Sequence, residues 1–250
     1  MCVELGHASP RFRDRIAATV SGTKRLIARS EPTSPSVGAC CEGRLSRLSV
    51  RRPRRFRREE ERASGIDLYW LPVGAGGHSV RLNGKVFEAV VARLEHRDRR
   101  DLYHSALQVY VPEGRFVIEQ APAWSEAGER GVVAQGAVGS RRAGRFRIFR
   151  YEIRCWREGV IPDIAEAVES PRRLSEGEDL ARRMLELVPH VPTPVWGRDE
   201  LQTREMWNSN SLISWLIVRS GLDVDAIDLP AGGRAPGWRA GIVVALRERW

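Results

Sequence analysis

Cysteine is scarce in this sequence where it would carry chemistry. Cys2, Cys40 and Cys41 all fall within the first 64 residues, which leaves Cys155 alone in the remainder. A lone thiol forms no internal disulfide, and no Cys/His cluster has zinc-ligand spacing. The expectation is a reducing, cytoplasmic setting and a site with no metal or organic cofactor. Long apolar runs are missing as well. "WLIV" and "GIVVAL" fall far short of the roughly 18 residues of a membrane span. The opening residues also lack the apolar core of a secretory signal, although the Arg-rich "RFRDRIAATVSGTKRLIARS" has the look of a transit peptide. Lysine is nearly absent: Lys24 and Lys85 are the only two among 41 basic residues. With abundant Ala and Gly, this suggests GC-rich bacterial coding. Finally, "GAGGHSV" (74–80) has neither the Lys-Ser/Thr of a P-loop nor the full dinucleotide spacing. It reads as a turn, where glycine supplies positive φ at no cost, with His78 beside it as a polar group available to a cleft.

The chain carries a formal net charge of +9, which invites a nucleic-acid reading. Its distribution argues otherwise. Residues 1–64 hold 15 Lys+Arg against 7 Asp+Glu, while residues 65–250 hold 26 against 25. The basicity belongs to the leader, whose "RRPRRFRREEER" repels itself and buries little. Residues 1–64 therefore read as a disordered Arg-rich extension, or as the result of a start codon assigned too far upstream. Nucleic-acid binding through it is the minor alternative.

Residues 65–250 read as one α+β domain, a small antiparallel sheet packed on helices. "GIDLYWLP" alternates as a half-buried strand, and "NGKVFEAVVARLEHR" has helical spacing with Asn83 as cap. "LYHSALQVYV" and "RFVIEQAP" flank the turn residues "PEG" and form two adjacent antiparallel strands. A Gly/Ala-rich loop leads to a long strand candidate in "RFRIFRYEIRCWREG". "PDIAEAVES" and "LSEGEDLARRMLELV" read as helices, the second with a capping box of Ser175 and Glu178. A further helix runs from about Ser209 to Arg219 and ends at Gly221, and a loop separates it from a final apolar segment.

Three positions carry the candidate chemistry. His104 lies on a strand face shared with small and polar residues, and hairpin pairing could bring Glu119 beside it. A carboxylate on a histidine fixes its tautomer and stabilises its protonated form. Ser209 opens the late helix in "WNSNSLISWL", where free N–H groups and the macrodipole favour developing negative charge. The same spacing suits a plain helix cap, so it does not separate a nucleophile from a structural serine. Cys155 shares a strand face with Tyr151 and Ile153 and reads as a buried structural thiol.

The succession of a strand histidine, a strand "VIE" and an Asn-x-Asn helix start resembles the circularly permuted papain-like thiol hydrolases. That group includes the permuted NlpC-type peptidases, the lecithin:retinol acyltransferase group and the PPPDE peptidases. The likeness covers roughly Ile66 to Ser220 and rests on three short motifs. It implies Ser209 as nucleophile, His104 as general base and Glu119 as orienter, acting on an amide or ester bond. The family's nucleophilic cysteine is absent, with Ser209 in its place. A hydroxyl offers far less anion than a thiol and needs concerted base removal and oxyanion donors. The resemblance therefore implies either a Ser-dependent hydrolase or acyltransferase, or an inactive relative, and the second is preferred. The longer string from "DLYHSALQV" to "WNSNSLISWL" also looks like that of actinobacterial proteins, a likeness that brings no function with it. The remaining alternative is a non-enzymatic domain that binds a peptide or small ligand in a cleft lined by Trp70, His78, Trp196 and Trp207, with Asn208 and Asn210 as further ligand-binding residues.

Overall fold

The computed structural model describes residues 63–73, 93, 96, 98–123 and 131–247. The leader to residue 62, His78, and the helix expected from Asn83, apart from two isolated positions, lie outside the described residues. The remainder is an α+β arrangement. The strands are β1 (Gly65–Pro72), β2 (Asp101–Val111), β3 (Gly114–Pro122), β4 (Val132–Ala137), β5 (Arg150–Arg157), β6 (Val168–Ser175) and the two-residue β7 (Gly233–Arg234). Their order is β4-β5-β3-β2-β1-β6, antiparallel throughout, while β7 adds a short parallel pairing to β2. The described helices are α1 (Glu178–Leu187), α2 (Ser209–Ser220) and α3 (Trp238–Arg247).

The β2–β3 hairpin follows its turn chemistry. Pro112 and Glu113 separate the paired Val111 and Gly114, and Gly114 takes a φ of 139° that a side chain would resist. Period-two alternation then divides the sheet into two faces. Trp70, Ser105, Leu107 and Ile118 project toward α2 and α3, as the Ser105–Asn210 hydrogen bond and the Trp70–Trp238 ring contact at 4.9 Å establish. The opposite face carries an apolar cluster of Tyr69, Leu71, Ala106, Val117 and Ile161. Beside the cluster lies a buried polar group. Arg154 is wholly buried and reaches Glu119 and Glu152 at 3.1 Å each, while Tyr69 and Tyr110 both donate to Gln108 Oε1. Helix α2 is buried along 11 of its 12 residues, so it behaves as a core helix between sheet and α3 and not as an amphipathic surface helix.

Several elements differ from the sequence expectation. The long strand expected from Arg145 begins only at Arg150. Ala143–Arg145 and Arg147–Phe149 are 3₁₀ turns, held where Arg147 donates to Ala123 O and Arg150 to Gly144 O. "PDIAEAVES" is not helical: Asp163 takes a left-handed φ of 58°, one 3₁₀ turn follows, and the chain enters β6. Pro171 is tolerated there because β6 is an edge strand. Within it Ser170 Oγ accepts the Trp70 N–H at 2.8 Å, a side-chain bond where the β1–β6 register breaks. β4 arises inside the stretch read as a loop. Helix α1 starts two residues later than expected, with Gly177 in place of Ser175 as N-cap. Ser175 Oγ accepts the Gly177 N–H instead of closing a capping box with Glu178.

Candidate functional site

The start of α2 is built from "WNSNS", where Asn208, Asn210 and Ser211 all have structural partners and the buried Trp207 Nε1 has no hydrogen-bond partner. Asn208 is the N-cap. Its Oδ1 accepts the N–H groups of Asn210 (2.9 Å) and Ser211 (3.4 Å), while Ser211 Oγ accepts the Asn208 N–H at 3.1 Å, completing a capping box. The same side chains then tie α2 to the approach of α3. Asn208 Nδ2 donates to Pro236 O (2.8 Å), Ser211 Oγ to Gly237 O (2.7 Å) and Ser214 Oγ to Trp238 O (2.7 Å). Asn210 binds three elements together. Its Nδ2 donates to Tyr103 O and Pro236 O at 2.9 Å each, and its Oδ1 accepts the Ser105 hydroxyl at 2.9 Å. Buried polar groups have to be paired, and this network does so. Asn208 and Asn210 are thus clamps.

His104 does not join this network. The α2 contact is made through Ser105, so alternation turns His104 to the other face of the sheet, where its direct β1 partner Leu71 belongs to the Tyr69 cluster. Ser209 stands at the first position of α2, on the opposite side of β2 from the imidazole. The ring of His104 keeps part of its surface open, yet enough protein crowds it that burial alone pushes its pKa down to about 4. No carboxylate holds a proton on it. Glu119 shares its face, but the β2–β3 register, continued one step past Leu107↔Ile118, sets Glu119 opposite Ala106. Its carboxylate reaches Arg154, the residue directly across the β3–β5 ladder. The nucleophile–base–orienter arrangement expected of Ser209, His104 and Glu119 is therefore not assembled. Cys155 is buried, with its thiol pushed up to about 12 by burial, as expected for a structural cysteine.

The tryptophans separate in the same way. Trp70 and Trp207 are core residues, only 1% and 2% exposed, and cannot line an open cleft. Trp196 is partly exposed and packs edge-on against Tyr151 at 5.7 Å between ring centroids. Its backbone continues the sheet edge: Trp196 N–H donates to Ala137 O, and Gly139 N–H donates to Trp196 O. Around this junction lies an open groove of about 470 Å³ lined by Gly139, Ser140, Arg141, Val195, Arg198, Asp199 and Glu200. That size lies within the range of small-ligand sites. Arg141 and Glu200 form a two-pronged ion pair at 2.9 and 3.0 Å, and Glu200 also accepts the Val195 N–H. These contacts hold its carboxyl below the usual range, the Arg141 hydrogen bond being the largest cause. Asp199 is likewise held down, chiefly by the backbone N–H of Thr203. Arg198 donates Nε to Gly139 O, which positions its guanidinium on the groove wall. Trp196 stands out in the sequence but its charged neighbours in "WGRDE" do not, because charges at successive positions look like an ordinary solvated loop. Compared with protein-family models, with curated proteins and with solved structures, the chain matches none.

Proposed function

We propose that this chain is a non-catalytic binding domain, and that a peptide or small polar ligand seats in the charged groove beside Trp196. The observation that carries the reading is the polarity of the α2 start. Asn208, Asn210, Ser211 and Ser214 are engaged in capping and in clamping α3 and β2, while His104 lies on the opposite face of β2 from the helix that Ser209 opens. An Asn-Ser-Asn helix start packed across an antiparallel sheet is the one feature in favour of permuted papain-like ancestry. On that ancestry the chain is a relative that lacks the thiol and the catalytic pair. The groove offers a guanidinium at Arg198 and pre-positioned backbone, with Trp196 adjoining its lining residue Val195.

A ligand with a carboxylate or C-terminal group would meet Arg198, and the emission of Trp196 would report it. Titration with a panel of short peptides should give a saturable change in fluorescence that is lost in Trp196→Phe. Arg198→Ala should weaken it roughly tenfold, the size expected for a charge-assisted hydrogen bond. Stoichiometric labelling of Ser209 by a fluorophosphonate, mapped by mass spectrometry, would overturn the non-catalytic reading. A titration as flat in the unaltered protein as in Trp196→Phe would remove the groove from it.

A further inference from the structure

The segment that runs from the groove wall into β5 carries exposed side chains, from Arg142 to Phe149, that do not line the groove. Residues 139–150 read "GSRRAGRFRIFR", with five arginines and no acidic residue. Its two 3₁₀ turns bury nothing: Phe146 is 52% exposed, Ile148 63% and Phe149 45%. These are three of the largest exposed apolar side chains among the described residues, and they occur within four positions. Arg141 is neutralised by Glu200, but Arg147 and Arg150 donate to backbone carbonyls, which satisfy their N–H groups without cancelling their charge. Arg145 lies over the Phe146 ring at 4.7 Å. The result is a cluster of guanidiniums with apolar tips projecting among them. Such a mixture is costly in water and is neutral toward neither salt nor oil.

We propose that this projection is a peripheral membrane-contact site for a bilayer surface rich in anionic phospholipid. Ile148 and the two phenylalanines would enter the boundary between headgroups and acyl chains, and Arg142 and Arg145 would meet the phosphates. Charge complementarity alone would also admit single-stranded nucleic acid, but the apolar pattern favours lipid. Base stacking requires open aromatic faces. One face of Phe146 is taken by Arg145, and the most exposed residue of the three, Ile148, has no ring at all. No described helix is long and apolar enough to cross a membrane, so the contact is one of adsorption and not of spanning.

The test uses the full chain in co-sedimentation with vesicles of phosphatidylcholine alone and of phosphatidylcholine mixed with phosphatidylglycerol. Binding to the mixed vesicles only, weakening as salt is raised, is expected. An Ile148→Asp/Phe149→Ser double variant should lose at least fivefold in vesicle affinity, and Arg142→Glu/Arg145→Glu should do the same. Both replace exposed side chains, so thermal melting should be unchanged. The leader up to residue 62 is also basic and stays intact in both variants. Vesicle binding that is equal in all three proteins would assign the effect to the leader and overturn the proposal. So would a double variant that keeps its vesicle binding while losing affinity for a single-stranded oligonucleotide.

Discussion

At the scale of single residues, the chain places its most ligand-like side chains in structural positions. Asn210 illustrates the point. An asparagine two residues into a helix looks like a surface cap, yet this one is 2% exposed and holds Tyr103 O, Pro236 O and Ser105 Oγ together. Asn210→Ala would leave Tyr103 O and the Ser105 hydroxyl without this partner, while Pro236 O keeps the bond from Asn208 Nδ2. With each orphaned buried group costing about 1–3 kcal/mol, a loss of roughly 2–4 kcal/mol is expected in urea denaturation, allowing for partial rescue by water. A loss below about 0.5 kcal/mol would mean the clamp is not formed. The spacing in "WNSNS" made the cap legible but not the clamp, because the partners lie 26 residues downstream and 107 upstream. Local pattern carries no information about what a side chain meets across such distances.

At the scale of elements, legibility tracked how strongly a segment's own chemistry fixes its state. β1, β2, β3 and α2 were readable as elements from alternation, Pro-Glu-Gly turn chemistry and the polar start and terminal glycine of the helix, although β1 is buried on both faces and not half-buried as its alternation suggests. β4 and β6 were not. "VVAQGA" and "VESPRRLS" have weak propensity and become strands only because β5 and β1 present open ladder edges. The site followed the same rule. His104 and Ser209 were correctly placed on a strand and a helix start, but their facing depends on which residue of β2 meets α2, and that is Ser105. The α2–α3 contact gives a test at this scale. A methyl added at Gly241 would collide with Ser211 O and Ser214 Oγ. Gly→Ala inside a helix ordinarily stabilises by about 1 kcal/mol. Because one obstacle here is backbone, strain of roughly 1–3 kcal/mol should outweigh that gain. Gly241→Ala is expected to lower the melting temperature by a few degrees, and a rise would show that the helices are not in close contact.

At the scale of the whole molecule, the central strands of the sheet are buried on both faces, and the face away from the helices holds the Arg154–Glu119–Glu152 ion group and Gln108. His104 sits on that face with a pKa depressed to about 4 against 6.5 in the unfolded chain. The sign follows from linkage. The unfolded chain takes up the proton first, so the stability His104 confers is complete above pH 6.5 and falls away as pH drops toward 4. The full shift corresponds to roughly 3 kcal/mol, and residual hydration of the ring brings this nearer 1–2 kcal/mol. Melting temperature should therefore fall between pH 7 and pH 4, and His104→Gln should flatten that segment of the profile. A profile of equal slope in both proteins would mean that His104 is not the source of the acid sensitivity.

The clamp at the α2 start has a consequence for synthesis. The carbonyls that receive Asn208, Ser211 and Ser214 belong to residues 236–238, well after the helix they complete. A chain whose synthesis ends before Pro236 lacks those acceptors, and the flank of α2 that α3 covers stays bare. Once released, such a shortened product should be held by chaperones more than the full chain is.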